Sequence, residues 1–255
     1  MNLARYINLE IRRMLKDRSP LFFSIVLPVL LYLVLDSTNV TSDQPIGDGN
    51  ILAYSMIGMA IYGGITGAVS SVGGIVLDET SGWQRQLALT PLRTWQRLVT
   101  HVAVTSLRIC LPVAAVFMCG WVSGASLPAA TWVITAALTV AACVPFSLYG
   151  LAFGTAFRSH GAVSIATGCI VPLSFLGNSF APLSETILSI GRFSPLYGST
   201  ALARFPLTHG FQALSDAPFS VTDPLWYALA NIAGWTLVFA GVNVLLWRRD
   251  HGRLA

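Results

Sequence analysis

The sequence predicts an all-α, polytopic integral membrane protein of six transmembrane helices, and three observations carry that prediction. Only 10% of its 255 residues are charged and 54% are hydrophobic, whereas soluble domains carry about a quarter charged residues. Several apolar runs reach the roughly 20 residues that a helix needs to cross a bilayer core. Those runs are continuous and lack the period-two alternation of a membrane β-barrel. The chain reads as a single membrane domain over residues 1–255.

An interfacial amphipathic helix within residues 1–20 comes first. Leu3, Ile7, Ile11, Met14 and Leu15 share one face and Arg5, Arg12 and Lys16 another, the pattern of a helix lying among lipid headgroups. Arg13 and Arg18 complete the basic anchor, and Ser19-Pro20 turns the chain inward. The first span covers 21–40. Its apolar core, Leu21 to Leu35, is short for a crossing, so the helix is expected to continue past Asp36. Basic residues before an apolar run also suit a signal peptide. No Ala occurs in residues 21–50, so no A-x-A cleavage site follows the run, and the segment is expected to stay.

The second span, 51–77, is rich in glycine, and Gly63, Gly67 and Ser71 stand four apart on one face. Such a face lets two helix backbones approach closely. The third span is 100–122. The fourth, 129–157, repeats the spacing at Gly150 and Gly154. Helix packing inside the chain and a subunit contact both satisfy this pattern. The fifth and sixth spans are 161–181 and 225–247. Pro28, Pro112, Pro145 and Pro172 fall inside spans, where each removes a backbone hydrogen bond. Residues 182–206 are too apolar for a solvated loop and too broken for a span. They read as short external helices, one stopped near Gly191 and one starting after Pro195. Residues 207–224 read as an irregular external loop.

Orientation follows from Lys and Arg near the span ends. Twelve of the 15 basic residues fall on one side, before the first span, in 78–98, after the fourth span and after the sixth. Both termini and the 78–98 segment are therefore expected in the cytoplasm, in a cell (inner or plasma) membrane. The positive charge fits anionic lipid and gives no reason to expect nucleic acid. Cys110, Cys119, Cys143 and Cys169 all fall in spans without metal-ligand spacing and read as small apolar packing residues.

No catalytic constellation or metal site stands out. The only lysine, Lys16, is followed by Asp17, which excludes a Walker A sequence. The four histidines lack H-E-x-x-H spacing, and no G-x-S-x-G or C-x-x-C occurs. The carboxylates lie in loops or at span ends, so a mid-membrane proton relay has no candidate. No bound cofactor is expected, and energy must come from a partner. Arg108 is the charge inside a span. It either lines a substrate path or snorkels to the inner headgroups past the polar turn at Thr105-Ser106.

The charged interruption DETSGWQRQLALTPLRTWQRL, residues 78–98, is more than a turn. Asp78 and Glu79 precede the bases Arg85 and Arg93, Trp83 and Leu87 offer an apolar contact face, and Thr90-Pro91 ends the helix. A solvated linker has no need of Trp83 or Leu87.

Here the chain resembles the permease subunit of ABC type-2 exporters, in particular the small drug-exporter branch. The likeness lies in Glu79, Gly82, Leu87, Leu89, Pro91 and Arg93, in Leu27-Pro28, and in SFLGNSFAPLSETILSIGRFSPLYGSTALAR at 174–204. The resemblance implies that 78–98 is a coupling helix seated on a separate ATP-binding cassette subunit. By position, Asp78, Glu79, Gly82, Trp83, Arg85, Leu87, Pro91 and Arg93 carry that role. Trp83-Gln84-Arg85 departs from the smaller residues common there. ATP and magnesium would be held by the partner, and a second permease copy or paralogue would complete the assembly. The implied activity is export of an amphiphilic drug, peptide or lipid-like molecule. A polysaccharide or teichoic-acid exporter permease is the close alternative. A membrane immunity or signalling protein that transports nothing is the alternative from another class.

Overall fold

The computed structural model of the chain describes residues 3–38, 44–80 and 94–251. Helix α1 (Leu3–Lys16) packs against the start of α5 (Thr94–Ser123) and buries Tyr6 and Met14. Leu15, expected on the apolar face, is 53% exposed, and Tyr6 takes part in the buried face instead. The basic anchors Arg5, Arg12, Arg13, Lys16 and Arg18 are all exposed. After Asp17 the chain enters α2 (Arg18–Leu21), passes through a π-helical turn at Phe22–Val26, and continues as α3 (Leu27–Thr38). Pro28 explains the turn. It has no N–H for the carbonyl of Ser24, four residues back, and the helix widens just before it, where Leu27 N donates to Phe22 O.

Helix α4 (Ile51–Thr80) is the hub. Of its spanning window 78% is buried, against 6% for the last helix, α12 (Leu225–His251). Helices α3, α5, α6 (Ala129–Cys143), α7 (Phe146–Phe157) and α8 (His160–Gly168) all pack on it. Glycine makes this possible. A Cβ at Gly63 would lie 2.8 Å from the Ser24 carbonyl oxygen, and one at Gly67 would overlap the carbonyl oxygen of Arg108. Both carbonyls stand four residues before a proline, Pro28 and Pro112, and so have lost their own helix's N–H. The glycine face of α4 approaches the backbone where the prolines have freed it. Gly150 does the same from α7, where a Cβ would lie 2.6 Å from the Val69 carbonyl oxygen. Both small-residue patterns thus pack helices within the chain.

Among the described residues, five helical segments are long and apolar enough to cross a membrane: Arg18–Leu35, Ile51–Asp78, Trp95–Ser123, Ala129–Phe157 and Leu225–Arg249. Two expected spans depart from regularity. The fourth breaks into α6 and α7 at Val144-Pro145, where Ser147 N donates to Val144 O (2.9 Å) and the turn tightens. The fifth, expected over 161–181, is shorter: α8 and α9 (Ile170–Leu176) cover His160–Leu176 and meet at Cys169. It stops at Gly177 because Asn178 takes a left-handed conformation (φ 57°), and its side chain accepts from Leu183 N (3.2 Å) to fold the chain back. Cys143 is buried as expected, but Cys110 and Cys169 are exposed, on helix faces turned away from the core.

The expected external helices are α10 (Glu185–Gly191) and α11 (Pro195–Thr208). Ser194 caps α11 by accepting from Leu196 N (3.4 Å), with Pro195 at its first position. Most of α11 is buried. The irregular loop expected over 207–224 is instead a hairpin, β3 (Phe211–Ala213) antiparallel to β4 (Ser220–Thr222). A smaller ladder, β1 (Pro45–Ile46) with β2 (Gly49–Asn50), lies at the same end. The hairpin is held from below: Asp223 accepts from Arg192 Nε (3.0 Å) and Nη2 (2.7 Å) and from the Tyr197 hydroxyl. Burial, together with that carboxylate, holds the Tyr197 phenol above its ordinary pKa.

Arg204 locks this layer to the hub. It is 1% exposed, and its guanidinium donates to the carbonyls of Tyr54 (3.0 Å), Asn178 (2.5 Å) and Ser179 (3.0 Å). Its charged carbon lies 3.5 Å from the Tyr54 ring centroid. Three carbonyl dipoles and a π face replace the water that a buried cation gives up. Burial still pulls its pKa below the ordinary arginine value.

Candidate functional site

At the end of the bundle opposite the hairpin, α4 leaves the core and two acid–base pairs gather. Arg13 Nη2 of α1 donates to Asp78 Oδ1 in the last turns of α4 (2.8 Å). Arg108 Nη2 of α5 lies 3.6 Å from Asp17 Oδ2, in the turn between α1 and α2. The first pair is half exposed and worth about 0.2–1 kcal/mol. Its meaning is positional, because it ties the amphipathic helix to the exit of the hub helix.

Of the residues expected to couple to a partner, Asp78 is therefore in an ion pair with α1, and Glu79 lies in the last turn of α4. Gly82, Trp83, Arg85, Leu87, Pro91 and Arg93 lie outside the described residues. The segment's flanks are clear: α4 runs unbroken for 30 residues up to Thr80, and α5 starts at Thr94 with Trp95 exposed. Arg108 sits below this junction, its side chain 11% exposed. It reaches toward the α1 end and lines a cavity.

That cavity has a volume of about 700 Å³ and lies between the first span, α4, α5 and α8–α9. The volume falls within the usual range for small-molecule sites, ~300–1,000 Å³. Helix α4 contributes Tyr62, Thr66, Ser70, Gly74 and Asp78, with Ser71, Ile75 and Leu77 beside them. Tyr62, Thr66, Ser70, Gly74 and Asp78 stand four residues apart and form one stripe along the helix. From Tyr62 to Asp78 the stripe rises about 24 Å at 1.5 Å per residue. Ser164 and Thr167 of α8 add hydroxyls opposite, and Phe23, Leu27, Val163 and Val171 form apolar walls.

Three of the cavity's hydroxyls donate to carbonyls of their own helices. Ser70 Oγ donates to Gly67 O (3.2 Å), Ser164 Oγ to His160 O (3.0 Å) and Thr167 Oγ1 to Val163 O (2.9 Å). Each proton goes to its own helix, leaving the oxygen lone pairs as acceptors. Arg108 is the reverse case, a donor short of acceptors. Its contact with Asp17 is longer than the ~2.7–2.9 Å of a charge-assisted hydrogen bond, and its Nε is buried without a partner.

Sequence reasoning singled out Arg108 and Asp78 but missed the groove that joins them. The signal was present in the four-residue spacing from Tyr62 to Asp78. It is interleaved with the Gly63–Gly67–Ser71 face, which is the stronger pattern. Among the described residues no group of three or more His, Cys, Asp or Glu could hold a metal ion.

Compared with known proteins, residues 3–204 match the sequence profile of a family described as ABC-2 type transporter. No curated protein matches the chain at a significant level.

Proposed function

We propose, from the premise that this chain belongs to the ABC-2 type transporter family, that it is an export permease driven through its 78–98 segment. Members of that family are the membrane-spanning component of an ABC transporter, and the ATPase activity resides in a separate subunit. This chain is accordingly a transporter permease subunit. The proposal adds which residues couple it, which way it faces and what kind of molecule it moves.

The observation that carries the reading is the continuity of α4. The helix that packs against most of the bundle runs without a break into the charged interruption, and its end is tied to α1 by Arg13–Asp78. A push on 78–98 is delivered to the hub rather than to a peripheral helix. Glu79, Gly82, Trp83, Arg85, Leu87, Pro91 and Arg93 form the docking segment together with Asp78. The partner is an ATP-binding cassette subunit that holds ATP and magnesium, and a second permease copy or paralogue completes the path. The basic side faces the cytoplasm, so both termini and 78–98 are cytoplasmic and the β3–β4 hairpin is external. An amphiphilic drug, peptide or lipid-like substrate suits a cavity lined by both hydroxyls and aliphatic side chains.

The test is co-purification. Tagged wild-type protein isolated from its native membrane is expected to bring down an ATP-binding cassette subunit and to raise that subunit's ATP turnover. Trp83→Glu is expected to lose both, because it places a charge on the apolar contact face. If the wild-type protein carries no ATPase with it, or if Trp83→Glu retains it, the coupling assignment is wrong.

A further inference from the structure

We propose that Arg13, Asp17, Asp78 and Arg108 form an ion-pair exchange that switches with the movement of α4. In the resting pairing Arg13 holds Asp78 and Arg108 holds Asp17. In the driven pairing Asp78 passes to Arg108, and Arg13 takes Asp17. Arg108 and Asp17 are thus positioning residues for coupling. The exchange rests on the export reading for what drives α4, and not for the existence of a second pairing.

The two resting pairs are unequal. Arg13 Nη2 lies 2.8 Å from Asp78 Oδ1, and their side chains are 52% and 38% exposed. A pair so open to water parts at little cost. Arg108 is the opposite case. Its side chain is only 11% exposed, its contact with Asp17 is 3.6 Å, and its Nε has no partner. A buried guanidinium with one distant carboxylate is under-satisfied, and a closer carboxylate offsets the loss of the exposed pair.

Asp78 is placed to be that carboxylate. It lines the same cavity as Arg108 and acts on it electrostatically. The cavity of about 700 Å³ gives the end of α4 room, since a Cβ added at Gly74, one turn before Asp78, would meet no atom within 4 Å. Asp17 is not stranded by the exchange. It stands four residues after Arg13, and its N–H donates to Met14 O (3.2 Å), which carries the last turn of α1 on to Asp17. That spacing brings the two side chains within reach of each other. Glu10 lines the cavity as well, so three carboxylates serve two arginines. Neither cation is left without a carboxylate nearby while partners change. Two pairings of the same four groups, selected by the position of one helix, supply the two discrete arrangements that a switch requires.

The first test needs no ATPase and reads the unfolding midpoint of the full-length protein in phosphatidylcholine nanodiscs. Asp17→Asn is expected to lower the midpoint by about 2–4 °C in the wild type. After Arg13→Gln the released Asp78 occupies Arg108, and Asp17→Asn is expected to cost less than about 1 °C. Glu10→Gln removes a carboxylate that belongs to neither pairing, and is expected to shift both backgrounds alike. The second test reads ATP turnover of the complex with the co-purified ATPase. Arg108→Gln removes the driven pairing and is expected to lower turnover about threefold with the ATPase still bound. Arg108→Lys, which keeps the charge, is expected to restore most of it. Arg13→Gln removes the resting pairing and is expected to raise turnover. The exchange is overturned if Asp17→Asn costs the same in both backgrounds, if Glu10→Gln shows the dependence expected of Asp17→Asn, or if the two glutamine variants move turnover in the same direction. If no ATPase co-purifies, the export reading fails, and the midpoint comparison still decides the exchange.

Discussion

Arg204 shows how one residue can fix an entire layer. Without a carboxylate partner, its charge is met by three backbone carbonyls from α4 and the chain after α9, and by the Tyr54 ring. Truncation strands those acceptors in a dry site. Arg204→Met is expected to cost about 3 kcal/mol of stability, read as a lowered unfolding midpoint of the purified protein in nanodiscs. Arg204→Lys is expected to recover only a minor part, because one ammonium cannot address three carbonyls while stacking on a ring. A loss below about 1 kcal/mol for Arg204→Met would contradict the lock. Nothing in the sequence distinguished Arg204 from an ordinary external arginine. Arg108 did stand out, because it interrupts an apolar run. Its pairing with Asp17 depends on how α1 folds back, which no local pattern specifies.

Among the elements, α4 has three functions on three faces. Its glycine face receives the carbonyls freed by Pro28 and Pro112, its apolar face fills the core, and its polar stripe lines the groove. The glycines of α4 should therefore differ sharply in their tolerance of a methyl group. Gly67→Ala drives a Cβ into the Arg108 carbonyl and is expected to destabilise by about 1–3 kcal/mol. Gly74→Ala faces open space and is expected to be neutral or to stabilise by up to about 1 kcal/mol through helix propensity. Melting both variants side by side checks this, and equal effects would refute the assignment of faces. The small-residue spacing was legible in the sequence because period four is a backbone property. The partners of that face were not, since they belong to helices far away in the chain. The hairpin at 211–222 was missed for a related reason: its strands are three residues each, and their anchor, Asp223 on Arg192 and Tyr197, is tertiary.

For the whole molecule, family membership and fold agree on a multi-pass permease subunit of an ABC transporter. The structure sorts its charges to two ends. Arg13, Asp78, Asp17 and Arg108 gather where α1 lies, and Arg192, Asp223, His209 and Asp48 gather at the hairpin end. If the α1 end faces the cytoplasm, the two ends differ in access from outside. In a cysteine-free background, Ser215→Cys in the β3–β4 turn is expected to react with an impermeant maleimide on intact cells. Arg249→Cys, at the end of α12, is expected to react only after permeabilisation. The opposite pattern would invert the topology and remove 78–98 from reach of a cytoplasmic ATPase.

By itself the sequence determined the class of protein, five of the long apolar helices, the amphipathic start and the charged interruption. All of these follow from hydrophobicity and its period, which act over one or two helical turns and are written in consecutive residues. Only the tertiary structure decided that α4 is the hub, that prolines on two helices prepare the backbone its glycines meet, that Arg204 is a buried lock, and that a polar groove ends at Arg108. Those features arise from contacts between residues tens to more than a hundred positions apart. A hydroxyl or a guanidinium carries no mark in the sequence of which distant surface it will face once the helices pack.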